Sequence, residues 1–353
     1  MRGPAAYLHR EPHRLIYFRP MFRGLVRSLA CAGAAVAVAA APSAAAAAAK
    51  PKAPPASASI AKGAMKLYLP DAFFVSREPV TVPNRVIHVR GVVRPYVAGQ
   101  RVTFKAYVGR RRIKLDRLRI KPSRNRSYGT FTEKLSAPAA GNVAVTVAHH
   151  RDAQQVGFVA RRSYSVLEPS AGFGATGRFV QLMQQRLAAL HFYIPQTGVY
   201  DQGMRLAVDA YHRLLRHGAS QSLDGATISE LLNGVGQFHI RFPKHGKHAE
   251  GDLTRQVLAL IDKGKVVALY PISSGKPSTP TVLGSFRVYL KTPGYLPDGM
   301  YYSSFFTGGY AIHGFNPAPD YPASHGCMRV PISDAISIYR WLNVGNGVDV
   351  YYE

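Results

Sequence analysis

Two cysteines, Cys31 and Cys327, are all that 353 residues contain. So few thiols exclude a disulfide framework and a four-thiolate zinc site. Acidic residues are scarce too, 19 Asp and Glu against 45 Lys and Arg, a formal net charge of +26. Such a chain is drawn to polyanions (nucleic acid, an anionic membrane or a wall polymer), although the charge says nothing about fold. No apolar run recurs as in a polytopic membrane protein. With 47% hydrophobic and 18% charged residues, most of the chain is expected to be globular. Its length calls for two or three cores rather than one small module.

Residues 1–27 carry six Arg opposed by Glu11 alone, and an uncharged Ala-rich run follows from Ser28 to Ala49. The pattern predicts a secretory signal peptide over 1–49, with Met21 as an alternative start and small residues from Ala41 onward as cleavage sites. The competing reading is a retained anchor, since 22 uncharged residues can span a bilayer. Cys31 lies early in the apolar run, where a lipid-bearing cysteine would not sit. Cleavage would leave Cys327 as the one thiol of an exported protein, which marks it as reactive or intermolecularly paired. Export also argues against nucleic acid as partner, and no recognition motif for it is present.

Residues 50–63 are rich in Pro, Ala and Ser and read as a linker. From 64 to 167 short alternating runs follow, VIHVRGVV at 86–93, RVTFKAYV at 101–108, GTFTEKL at 129–135 and NVAVTVAHH at 142–150, punctuated by Gly, Pro and Asn. This predicts a small Ig-like β-sandwich. The segment carries 20 Lys or Arg against 5 acids, nine of those cations between Arg110 and Arg126. A solvated basic face and a surface for anionic wall polymers are both consistent with that excess.

A Gly-bearing joint at 168–177 precedes helical periodicity. Its GxGxxG at 172–177 is followed by a second helix where a dinucleotide fold requires a parallel strand, so it reads as a flexible joint. Phe179, Met183, Leu187 and Leu190 share one helix face; Leu206, Val208, Ala210, Tyr211 and Leu214 populate a second helix; a third is expected over Thr227 to Leu232. Gln185, Leu187, Leu190, Tyr193, Thr197-Gly198, Tyr200-Asp201, Ala207-Val208 and Tyr211 give residues 173–235 a line that resembles the three-helix peptidoglycan-binding module. Met204 and His212 depart from that pattern. The resemblance implies glycan as a ligand, or a helical spacer that has kept only the packing.

Beyond the basic spacer FPKHGKHAEGD, strands return: LALID and KVVALYPI flank a Lys263-Gly264 turn, and STPTVLGSFRVYLK follows. The last domain, 250–353, is expected to be mainly β and to end on one helix from Ser333 to Leu342. Within it, Cys327 sits in PASHGCMRV at 322–330, with a second histidine at Ile312-His313-Gly314. A cysteine nucleophile needs a base to hold it as thiolate, and His313 or His325 can serve. His325 is only two positions from Cys327, which limits its approach, so His313 is the better geometric candidate. Gly326 permits a turn that aims the amides of 326 and 327 at one point, as an oxyanion hole requires, with Ser324 and His325 bracing it. Four histidines, His245, His248, His313 and His325, raise the question of zinc, but neither HExxH nor a comparable spacing is present, and no cofactor motif is found.

Taken together, Ser324-His325-Gly326-Cys327-Met328-Arg329 and the upstream His313 resemble the signature of the L,D-transpeptidase catalytic domain, and the likeness extends from Thr254 to Glu353. Only ten residues separate His313 from Ser324, a shorter loop than the family's longer forms. The resemblance implies that Cys327 attacks the carbonyl between the third and fourth residues of a peptidoglycan stem. It implies His313 as the base, oriented by the Gly314 carbonyl, and oxyanion stabilisation from His325, Gly326 and Cys327. Arg329 is implied to meet a substrate carboxylate or to brace the loop, with Tyr301, Tyr302 and Tyr310 lining the peptide groove. The expected product is a 3→3 cross-link, with carbapenem-type compounds as inhibitors. An L,D-carboxypeptidase and a non-catalytic wall-binding scaffold are the alternatives. The whole is thus expected to be multidomain α+β: a β-sandwich, a three-helix bundle and a mainly-β catalytic domain.

Overall fold

The computed structural model describes residues 60–353; the segments read as signal peptide or anchor, 1–49, and most of the linker lie outside the described residues. Among the described residues no helix is long and apolar enough to cross a membrane.

Ten strands occupy residues 64–166: β1 (Ala64–Tyr68), β2 (Phe73–Val75), β3 (Glu78–Thr81), β4 (Ile87–Arg94), β5 (Arg101–Val108), β6 (Arg111–Arg119), β7 (Lys121–Pro122), β8 (Gly129–Leu135), β9 (Gly141–His149) and β10 (Phe158–Val166). They form one sheet in the order β1-β4-β8-β7 and another in the order β2-β3-β10-β9-β5-β6. Alternation decides which side chains meet between the sheets. Ile87, Val89 and Val93 point inward from β4 while Arg90 and Arg94 point out, and the inward set joins Val102, Phe104, Val143, Val145, Val147 and Tyr164 in one core. The basic run that begins at Arg110 is largely the edge strand β6, whose exposed cations discourage pairing with another chain.

Three helices follow: α1 (Arg178–Ala189), α2 (Gln202–Leu214) and α3 (Gly225–Asn233). Local signals set their ends. The Asp201 carboxylate accepts from the Met204 amide at 3.0 Å, Asp224 accepts from Thr227 at 2.7 Å, and Gly234 closes α3 in the left-handed region at φ 73°. Their buried residues do not form a closed unit. Met183, Leu187, Val208 and Tyr211 share one cluster with Val75, Val80 and Val82 of the preceding sheets and with Val257, Ala259, Ile261 and Leu269 of the following domain.

The remaining chain builds two sheets. β11 (His248–Asp252), β12 (Val257–Asp262), β13 (Lys265–Pro271), β14 (Gly284–Arg287) and the final strand β19 (Gly347–Tyr351) pair in the order β13-β12-β11-β19-β14. β15 (Leu290–Tyr295), β16 (Tyr301–Thr307), β17 (Tyr310–Gly314) and β18 (Met328–Val330) make the other sheet, in sequential order, and α4 (Ile332–Trp341) packs on β16 and β17. Lys263 and Gly264, both at positive φ, turn β12 into β13. Three sequence expectations change here. The chain does not end on α4, because β19 (Gly347–Tyr351) inserts between β11 and β14, parallel to β11. The stretch after Leu283 is two strands in different sheets. The supposed spacer contains β11, a central and wholly buried strand. Its polar side chains are satisfied: Glu250 accepts from the Arg241 and Phe242 amides and the Tyr351 hydroxyl, and Asp252 from the Thr254 and Arg255 amides.

Candidate active site

β17 and β18 run parallel in register Ile312↔Met328, His313↔Arg329 and Gly314↔Val330. Two parallel neighbours need a crossover, and residues 315–327 provide it, so the turn bearing Cys327 lies at the start of β18 beside His313. A second layer fixes that turn. The Ala323 and Ser324 amides both donate to Ser274 O at 2.9 Å, Ser273 and Arg329 exchange backbone bonds at 2.9 and 3.0 Å, and Thr279 Oγ1 donates to Ser324 O at 3.0 Å.

Inside the turn, Ser324 Oγ donates to Cys327 O at 2.6 Å and accepts from the Gly326 amide at 3.0 Å. The Gly326 amide is therefore committed to Ser324 and does not point at a substrate oxygen, which alters the expectation of two converging amides at 326 and 327. Gly326 itself stands at φ 118°, and the ring of Tyr310 fills the place where a Cβ would be.

A cleft of about 600 Å³ is lined by His313, Cys327, Arg329, Tyr310, Ser324 and His325, together with Asp298, Met300, Gly309 and Phe315. His313 is buried, and its Nδ1 lies 2.9 Å from Gly314 O. Because a carbonyl only accepts, Nδ1 carries the proton and Nε2 keeps its lone pair. Burial pushes the imidazole down to about 4 despite the bond to Gly314, and the Arg329 charge pushes the same way. Cys327 is half-buried, its Sγ 3.7 Å from Gly309 O. Burial pushes this thiol up, against the opposing pulls of the Ala311 backbone and the Arg329 guanidinium. Both shifts favour the neutral pair, whereas the sequence suggests a resting thiolate.

The Arg329 guanidinium stacks 3.9 Å from the Phe315 ring centroid, and its Nε has no partner within the described residues. It lines the cleft on an aromatic brace, with Nη1 directed to Ala323 O at 3.5 Å. His325 is exposed at the rim, 3.5 Å from Lys276 Nζ. Tyr301 and Tyr302 are not brought to the cleft. Tyr301 packs on Tyr295 at 4.3 Å and Tyr302 meets Tyr339 edge to face at 5.0 Å, both against the domain core, because a bulge between Tyr301 and Ser304 turns this strand. Of the three tyrosines, Tyr310 alone lines the cleft. His245 and His248 lie away from it, beside Asp349 and Glu250 in the five-stranded sheet. Sequence reasoning passed over Asp298, Met300 and Phe315, which sit in turns and carry no local signal.

Residues 246–350 match the family model described as the L,D-transpeptidase catalytic domain, YkuD. Among solved structures, an L,D-transpeptidase from Xylanimonas cellulosilytica is 30% identical, with 52% of this chain and 100% of that chain covered, at a TM-score of 0.46. The catalytic domain of the Enterococcus faecium L,D-transpeptidase is 28% identical over 30% of this chain and 98% of that one, at a TM-score of 0.28. An L,D-transpeptidase from Stackebrandtia nassauensis is 22% identical over 52% and 95%, at 0.34. No curated protein matches the chain. Residues 246–350 are thus the part of this chain that carries an L,D-transpeptidase catalytic domain.

Proposed function

We propose that the protein is an exported cell-wall enzyme that passes the acyl group of a peptidoglycan tetrapeptide stem from its terminal D-Ala to an acceptor amine, forming 3→3 cross-links. The observation that carries this reading is the meeting of Cys327 with His313 in one cleft, the imidazole held by Gly314 with Nε2 as acceptor. Cys327 Sγ attacks the stem carbonyl while Nε2 takes the thiol proton, so charge appears only as the bond forms. The resulting imidazolium returns the proton to the departing D-Ala amine and leaves a thioester on Cys327. An acceptor amine then attacks the thioester, gives its proton to His313 and releases the thiol. Arg329, which lines the cleft, would meet a stem carboxylate, and Ser324, bonded to Cys327 O, would hold the turn that presents the sulfur.

Export rests on the Arg-then-Ala pattern of residues 1–49. The excess charge of residues 64–167 suits anionic wall polymers, residues 173–235 suit glycan, and a carbapenem-type compound would acylate Cys327. Incubating the purified protein with disaccharide-tetrapeptide and reading products by mass spectrometry tests the proposal. Dimers linked with loss of D-Ala support transfer; tripeptide alone means that water is the acceptor and the enzyme is an L,D-carboxypeptidase; unchanged substrate overturns catalysis.

A further inference from the structure

Along β1, the edge strand of the β1-β4-β8-β7 sheet, lies an aromatic groove that also takes in Phe74 of β2 and Arg162 of β10 and is ringed by cations, of which Arg94 stacks on Tyr128 at 5.4 Å. Two adjoining clefts, about 210 and 610 Å³, meet at Tyr68 and Val92. Register explains why they are cationic. Tyr68 stands opposite Arg90, Lys66 opposite Val92, and Ala64 opposite Arg94, so alternate outward positions on two neighbouring strands converge on one surface. Arg162 reaches the same groove from β10. Tyr68 and Phe74 are about half exposed, at 48% and 50%. Large aromatics left open in a concave site mark a surface with a partner.

Of the nearby acids, Asp71 is engaged with His88 and Glu133 with Lys114, while Glu78 shares an adjoining cleft with Arg162 without an ion pair to it. Within the described residues none of Lys66, Arg90, Arg94 and Arg162 has an ion-pair partner. We infer that this groove binds an acidic polysaccharide, its sugar rings laid on Tyr68 and Phe74 and its carboxylates met by Lys66, Arg90, Arg94 and Arg162. Charge complementarity selects the sign of the partner, and the flat aromatic faces between the cations select a sugar polymer over a polyphosphate. The inference adds a partner to the wall enzyme proposed above and rests on that reading only for where the polymer is met.

The test uses the full chain and polygalacturonate as probe, with binding measured calorimetrically at about 0.1 M salt. Lys66→Glu with Arg90→Glu is expected to weaken binding about tenfold or more, while Arg111→Glu with Arg112→Glu, the same charge change on the exposed edge strand β6, alters it less than about threefold. Arg162→Glu, on the other sheet, keeps the test valid if the first pair of changes lowers the melting temperature. Tyr68→Ala is expected to weaken polygalacturonate about fivefold and polyphosphate less than about twofold. Equal weakening by the two double variants, indifference of polygalacturonate binding to Tyr68, or no binding by the wild type overturns the inference. Turnover of a soluble muropeptide is read on the same samples, so failure of the enzyme reading and failure of the groove are separate results.

Discussion

The ring of Tyr310 packs over the α-carbon of Gly326 so closely that no side chain fits between them. This contact joins the strand that carries His313 to the turn that carries Cys327, and Gly326 meets it at a φ of 118°, which L side chains rarely adopt. Gly326→Ala is expected to cost about 100-fold or more in kcat/KM, from overlap and backbone strain together. Adding Tyr310→Ala removes the overlap and leaves the strain, so recovery should be partial. Steady-state kinetics on both variants check this, and full activity of Gly326→Ala would refute it.

The neutral resting pair has a pH signature. His313, at about 4, is already a free base through the mildly acidic range, so kcat/KM should hold as pH falls through 6 and drop only near 4. The Cys327 thiol, raised by burial, should be alkylated slowly by iodoacetamide at neutral pH and faster only above the usual thiol range. A rate profile that falls near 6.5, or rapid alkylation at pH 6, would show a resting ion pair instead.

Cys327→Ser is expected to lower acyl transfer by about a thousandfold or more with the melting temperature unchanged. A hydroxyl is a far weaker acid than a thiol, and His313 has only a carbonyl behind it. Retention of about a tenth of wild-type turnover would remove Cys327 as nucleophile.

Arg213 of α2 is buried beside Asp209 and donates from Nη1 to Ile272 O at 2.8 Å, tying the helices to the segment that holds the Cys327 turn. Arg213→Met is expected to destabilise by about 3–5 kcal/mol, because it strands a buried carboxylate. Asp209→Leu with Arg213→Met replaces both charges by apolar groups and should lie within about 1 kcal/mol of wild type. Denaturant titrations distinguish the two, and equal losses would show that the charge pair itself is the stabilising element.

Burial pushes the Asp334 carboxyl up to about 7 at the start of α4, against the bond from Ser333. The folded state therefore holds a proton that the unfolded chain releases near 4, and stability falls as pH rises from about 4 to 7. Asp334→Asn should flatten that window and gain up to about 4 kcal/mol at pH 8. Thermal melts from pH 4 to 8 give the result; a parallel decline in variant and wild type would refute it.

Elements with a local physical cause were legible in the chain. Phe179, Met183 and Leu187 fall on α1 and Leu206, Val208, Ala210, Tyr211 and Leu214 on α2 as their spacing implies, the Lys263-Gly264 turn makes a hairpin, and the runs at 86–93, 101–108, 129–135 and 142–150 coincide with β4, β5, β8 and β9. β11 was hidden. His248, Glu250 and Asp252 read as part of a basic spacer because nothing local marks them as buried: Glu250 is satisfied by the amides of 241–242 and by Tyr351 on β19, His248 by Gly246 and Glu250, and Asp252 by the turn after β11. The two inward tyrosines and the committed Gly326 amide were hidden for the same reason: a bulge and a serine hydroxyl decide them, and neither leaves a periodic mark.

By itself the sequence singled out Cys327 and His313 as candidates through their motifs, and it determined the helical stripes and the alternating strands, because those depend on neighbours within a few residues. Only the tertiary structure decided that His313 and Cys327 share one cleft where burial favours their neutral forms, that Tyr310 rather than Tyr301 or Tyr302 faces it, and that α2 is bonded to the segment after β13 that backs the Cys327 turn. Those outcomes depend on desolvation and on pairing between distant segments, and both come into being only when the chain closes on itself.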